Sequence, residues 1–88
     1  MWASQYSLLR YLNQRHGGAD HAEILPFYDA AKTTYGPIYD NYPFENWLGY
    51  LKSYKLIAEQ NDRIFVSVAG REYLQYVVAT GKTAPTFG

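Results

Sequence analysis

Eighty-eight residues, 48% apolar and 18% charged, make one small globular domain that removes about 60% of its unfolded surface from water. The absence of cysteine excludes a disulfide scaffold and a thiolate metal site, and no apolar run approaches the roughly 20 residues of a bilayer-spanning helix. Eight basic residues balance eight acidic ones, which excludes a strongly basic, histone-like binder.

The first segment, Ser4 to His16, has Tyr6, Leu8, Leu9 and Leu12 at helical spacing, with Arg10, Asn13, Gln14 and Arg15 on the other side. Ser4 is the expected cap and Gly17-Gly18 the stop. No basic stretch precedes an apolar block in MWASQYSLLRYLNQRHGG, so a signal peptide is not expected. The expectation is a soluble, cytoplasmic protein without a membrane partner.

Asp20 with Glu23 resembles a capping box, so a second helix over roughly 21 to 34 is predicted, disturbed at Pro26. The alternative is an extended His21–Leu25 with Pro26 as the first residue of a shorter helix. Either way Ile24, Leu25, Phe27, Tyr28 and Ala31 are the core candidates. The following TYGPIYDNYP, Thr34 to Pro43, reads as a long, aromatic loop.

Pro43 opens a third helix, PFENWLGYLKSY, with Phe44, Trp47, Leu48 and Leu51 as its buried stripe. Glu45, Asn46, Gly49, Tyr50, Lys52 and Ser53 fall outside that stripe. Two strand-like runs then meet at Asn61-Asp62, residues that tolerate the positive φ of a two-residue hairpin turn. This register sets Gln60 opposite Arg63, Ala58 opposite Phe65, and Ile57 near Val66, with Ile57 and Phe65 sheltering against the helices. Ser67 caps a last helix, Val68 to about Thr80, with Tyr73, Leu74, Val77 and Val78 on one face. Gly70 lets this helix approach a neighbouring backbone closely, Arg71 and Glu72 are solvated charges, and Gly81 is the stop. Residues 1–81 are read as the domain and 82–88 as a flexible tail.

Trp47-Leu48-Gly49-Tyr50-Leu51, leading to Tyr54-Lys55-Leu56-Ile57, resembles the end of the recognition helix and the step into the wing in bacterial winged helix-turn-helix proteins. Val66-Ser67-Val68-Ala69-Gly70-Arg71-Glu72-Tyr73-Leu74 is similar to the passage from wing to closing helix in that superfamily. The likeness spans roughly Phe44 to Val78. It implies an α+β, mainly α, winged-helix fold: a three-helix bundle followed by a two-stranded β-hairpin wing and a C-terminal helix. It also implies a small DNA-binding protein or the DNA-binding part of a transcriptional regulator, its third helix in the major groove of double-stranded DNA. Glu45, Asn46, Tyr50 and Ser53 would then face bases, and Lys52, Lys55 and Arg63 would hold phosphates. The charge distribution leans the same way: five basic residues against three acidic ones from Leu48 onward, where three stand against five before it.

The competing expectation is a protein-interaction module, with a homodimer as one form, that binds no DNA. Ten tyrosines exceed the needs of one small core, and Tyr35, Tyr39 and Tyr42 cluster in the loop, where tyrosine suits an interface. Folding back as a lid over the core is the other reading of these three. No enzyme is expected, and no cofactor or metal. His16 and His21 flank a glycine turn near Asp20 and Glu23, but their spacing matches no common zinc site. No serine sits in a nucleophile elbow and no glycine-rich phosphate loop is present.

Overall fold

The apolar periodicities resolve into a mainly helical α+β arrangement in the computed structural model, which describes residues 1–81 and 84–88. Its elements in chain order are α1 (Ala3–Asn13), α2 (His21–Tyr35), α3 (Phe44–Ser53), β1 (Ile57–Gln60), β2 (Arg63–Val66) and α4 (Val68–Thr80). A 3-10 turn, Gly36–Tyr39, links α2 to α3. No helix among the described residues is long and apolar enough to cross a membrane.

Leu8, Leu9 and Leu12 of α1 are buried as their spacing predicts. The helix starts earlier than expected, however, with Trp2 as its cap residue and the Trp2 N–H donating to Gln5 Oε1 at 2.8 Å. Ser4 is not the cap; it lies inside the helix and is buried. The helix also stops at Asn13, short of His16. Gly18, at φ +74°, lies so close to β2 that a Cβ would sit 2.8 Å from Ile64 O.

Asp20 accepts from the Glu23 N–H at 2.7 Å and starts α2. The helix runs on through Pro26 to Tyr35, so the longer of the two readings describes this segment. Ile24, Tyr28 and Ala31 point into the core, Phe27 is half-buried, and Leu25, a predicted core residue, is exposed. Residues one apart on a helix are rotated by about 100°, and here Leu25 falls on the solvent side of the stripe made by Ile24, Tyr28 and Ala31.

The hairpin has the expected register: Ile57 opposite Val66, Ala58 opposite Phe65, Glu59 opposite Ile64, and Gln60 opposite Arg63. Asn61 and Asp62 both have positive φ, 53° and 63°, the form a two-residue hairpin turn requires. Side chains alternate between faces along a strand, so Ile57 shares its face with Ile64, and these two are the buried pair. Phe65, expected beside Ile57, belongs to the opposite face, where its ring covers Gly18. The outer edge of β2 is paired as well: Ala19 and Ile64 exchange two backbone hydrogen bonds of 2.8 and 2.9 Å. A hairpin alone is marginal in water, and this extra bridge ties it to the turn between α1 and α2.

Ser67 caps α4 by accepting from the Gly70 N–H at 2.9 Å, and its hydroxyl donates to Lys55 O at 2.6 Å. A Cβ on Gly70 would sit 2.1 Å from Leu56 O, the close approach expected at this position. Leu74 and Val77 are buried and Tyr73 is half-buried, whereas Val78, predicted on the same face, is 80% exposed. Arg71 is exposed and donates to Asn13 Oδ1 at 3.3 Å. Gly81 closes the helix in the left-handed conformation.

Candidate functional site

The outer side of α3 is the first place to build a site, because Trp47, Leu48 and Leu51 turn inward and leave the remaining residues to solvent. Glu45, Asn46, Lys52 and Ser53 are exposed and Tyr50 is half-buried. Between them Gly49 faces open space, with nothing within 4 Å of where its Cβ would be. The Ser53 hydroxyl is already used, donating to Tyr50 O at 2.8 Å.

The three cations expected on phosphates differ in their freedom. Lys52 Nζ lies 2.6 Å from Glu59 Oε1 on β1. That hydrogen bond, with the charges of Lys52 and His21, holds the Glu59 carboxyl below its usual range. Arg63 turns away from the hairpin tip, its Nε donating to Gly17 O at 2.9 Å and its Nη2 to Gly18 O at 3.0 Å. Lys55 is exposed, at φ +59°, and its ammonium has no ion-pair partner among the described residues. Glu45 and Asp62 are acidic and exposed on the same elements.

The loop tyrosines are placed differently from the interface expectation. Tyr39 is 1% exposed, and Tyr35 and Tyr42 are half-buried. They form a lid over the core, which removes Tyr39 from any exposed binding face. Its hydroxyl joins a buried relay. Trp47 Nε1 donates to Ser4 Oγ at 2.9 Å, Ser4 Oγ and Tyr39 Oη are 2.7 Å apart, and Tyr39 Oη donates to Gly88 O at 3.0 Å. Tyr39 has one proton and sends it to Gly88, so the Ser4 hydroxyl is the donor in the middle step. Gln5 is fully buried beside this relay, donating to Trp47 O at 2.8 Å and to Tyr42 Oη at 3.1 Å.

A different set of tyrosines reaches the surface. Tyr54, 64% exposed, packs on Tyr50 with ring centroids 4.8 Å apart. Tyr73 of α4 meets Tyr6 of α1 edge-on at 6.2 Å. Burial raises the phenols of Tyr42 and Tyr73 above their ordinary range, and the nearby Tyr50 adds to both. Tyr54–Tyr50 at the end of α3 and Tyr73–Tyr6 between α4 and α1 are thus two uncharged ring pairs in a row, with Tyr50 near enough to act on the Tyr73 phenol. Beyond Tyr6 the row meets a groove between α1 and α4 lined by Leu74, Val78 and Ala79 together with the polar side chains of Arg10, Asn13, Gln14 and Gln75. Sequence reasoning missed this row, since Tyr6 and Tyr73 read as core residues; only the surplus of tyrosines signalled it.

His16 and His21 do not converge on a metal site. No group of three or more His, Asp or Glu side chains poised for a metal exists among the described residues. His21 instead lies 4.0 Å from Glu59. Glu23 accepts from Tyr11 of α1 and from Arg15 in the turn after it, a surface cluster joining the first two helices.

No family model matches this chain, and neither does any curated protein or solved structure.

Proposed function

We propose that this chain is a winged-helix domain that acts as a protein-interaction module, pairing with a second copy of itself through the row Tyr54, Tyr50, Tyr73 and Tyr6. The observation that carries this reading is the exposed Tyr54 packed on the half-buried Tyr50, ring centroids 4.8 Å apart. Tyrosine offers a large, rigid contact area with a polar tip. An uncharged row is also self-complementary, because a two-fold axis laid across it brings no like charges together. Tyr50→Ala with Tyr54→Ala is the test. The double substitution abolishes the dimer measured by size-exclusion chromatography with light scattering, while circular dichroism shows the helices retained.

Duplex DNA binding is the second reading, favoured by Lys55 and by the open polar strip Glu45, Asn46, Gly49 and Ser53, where bare Gly49 admits a close approach. It stands second because Lys52 and Arg63 have partners within the chain. Glu45 and Asp62 would also meet phosphate with the wrong sign. On this reading, Lys52→Ala, Lys55→Ala and Arg63→Ala together weaken duplex binding and reduce its salt dependence. The log–log salt slope falls by up to about 0.9 per lost phosphate contact.

A further inference from the structure

The first turn of an α-helix leaves its N–H groups without intrahelical acceptors, and in α1 two of these donors have found a distant one. Ala3 N donates to Phe87 O at 2.8 Å and Ser4 N to Gly88 O at 3.1 Å. The Tyr39 hydroxyl, buried and at the end of the relay from Trp47, makes a third bond to Gly88 O at 3.0 Å. Side chains then read what the backbone bonds hold. The Phe87 ring lies 5.9 Å from that of Trp2 and 4.9 Å from that of Tyr35. Gly88, at φ +82°, has no room for anything larger, because a Cβ there would sit 1.7 Å from Trp2 Cε3. Phe87 and Gly88 end the segment read as a flexible tail, of which residues 82 and 83 lie outside the described residues.

We propose that the first turn of α1, with Trp2, Tyr35 and Tyr39, is a binding site for a peptide segment bearing an aromatic residue followed by glycine, filled in this structure by the chain's own Phe87-Gly88. The three hydrogen bonds are made to main-chain oxygens and so are indifferent to the side chains of the segment. Trp2 and Tyr35 select the aromatic ring, and the Trp2 indole excludes every residue but glycine after it. Tethering favours the chain's own segment over one in trans, so a segment in trans enters only where the chain's own is dislodged.

The full chain carrying Gly88→Ala provides the test. The added methyl meets Trp2 and expels the segment. Trp47 is fully buried, so iodide quenching of tryptophan fluorescence reports on Trp2 alone. The proposal predicts increased quenching and loss of amide-exchange protection at Ala3 and Ser4. Both are reversed by the free peptide Ala-Pro-Thr-Phe-Gly but not by Ala-Pro-Thr-Ala-Gly or Ala-Pro-Thr-Phe-Ala. Should Gly88→Ala disturb the fold, Phe87→Ala removes only a largely exposed ring and supports the same titration. Wild-type quenching and protection in both variants, or no discrimination among the three peptides, overturns the proposal.

Discussion

Lys52 of α3 and Glu59 of β1 meet at 2.6 Å, so the cation best placed to reach outward from the third helix is bound to the hairpin instead. The pair also sets an acid-side dependence of stability. The Glu59 carboxyl is held below its usual range, chiefly by the Lys52 hydrogen bond. Its contribution is complete above the ordinary carboxylate range and is lost as pH falls through the lowered value. Thermal unfolding of wild type and Glu59→Gln at several pH values checks this: the wild type is the more stable near neutrality, and the difference closes in acid.

Two glycines differ in what a methyl group would meet, and their alanine variants move stability in opposite directions. At Gly70 the added Cβ lies 2.1 Å from Leu56 O, a backbone atom, so α4 must shift away from the hairpin. A loss of about 3 kcal/mol, at the upper end of ordinary overpacking, is expected in urea unfolding. At Gly49 the space is open. There the variant gains about 1 kcal/mol from helix propensity.

Ser67 holds two backbone groups at once, the Gly70 N–H and Lys55 O. Ser67→Ala leaves the first without its cap and is expected to lose about 1 kcal/mol or somewhat more. Faster exchange of the Gly70 amide confirms the cause.

Burial raises the phenols of Tyr42 and Tyr73. Unfolded tyrosine ionises first as pH rises past about 10, so the unfolded state gains relative to the folded one and stability declines. Alkaline titration followed together by tyrosinate absorbance and circular dichroism should show part of the tyrosine signal appearing only as the helices melt. Tyr42→Phe with Tyr73→Phe reduces that part, leaving the share of Tyr11, whose phenol is raised by its hydrogen bond to Glu23.

The hairpin was legible because local chemistry determines it: Asn61-Asp62 fixes the turn, the turn fixes the register, and Ser67 and Gly70 follow at set distances. Which face of the hairpin is buried depends on the helices beneath. That choice falls to Ile64 and not to Phe65. The same limit applies to Ser4 and Gln5. Ser4 reads as a cap and Gln5 gives no signal, yet the hydroxyl of Tyr39 and the indole of Trp47 supply partners 35 and 43 residues away from Ser4. For the candidate site, periodicity placed Glu45, Asn46, Lys52 and Ser53 on the outside of α3 correctly. It could not foresee that Glu59 would take Lys52 or that the carbonyls of Gly17 and Gly18 would take Arg63, because those contacts join separate elements.

Sedimentation equilibrium of the wild-type chain over a wide concentration range tests the proposed role most directly. Reversible dimerisation that Tyr50→Ala with Tyr54→Ala removes is the predicted result. A monomer at every concentration, alongside saturable and strongly salt-dependent binding of a DNA duplex, would contradict it.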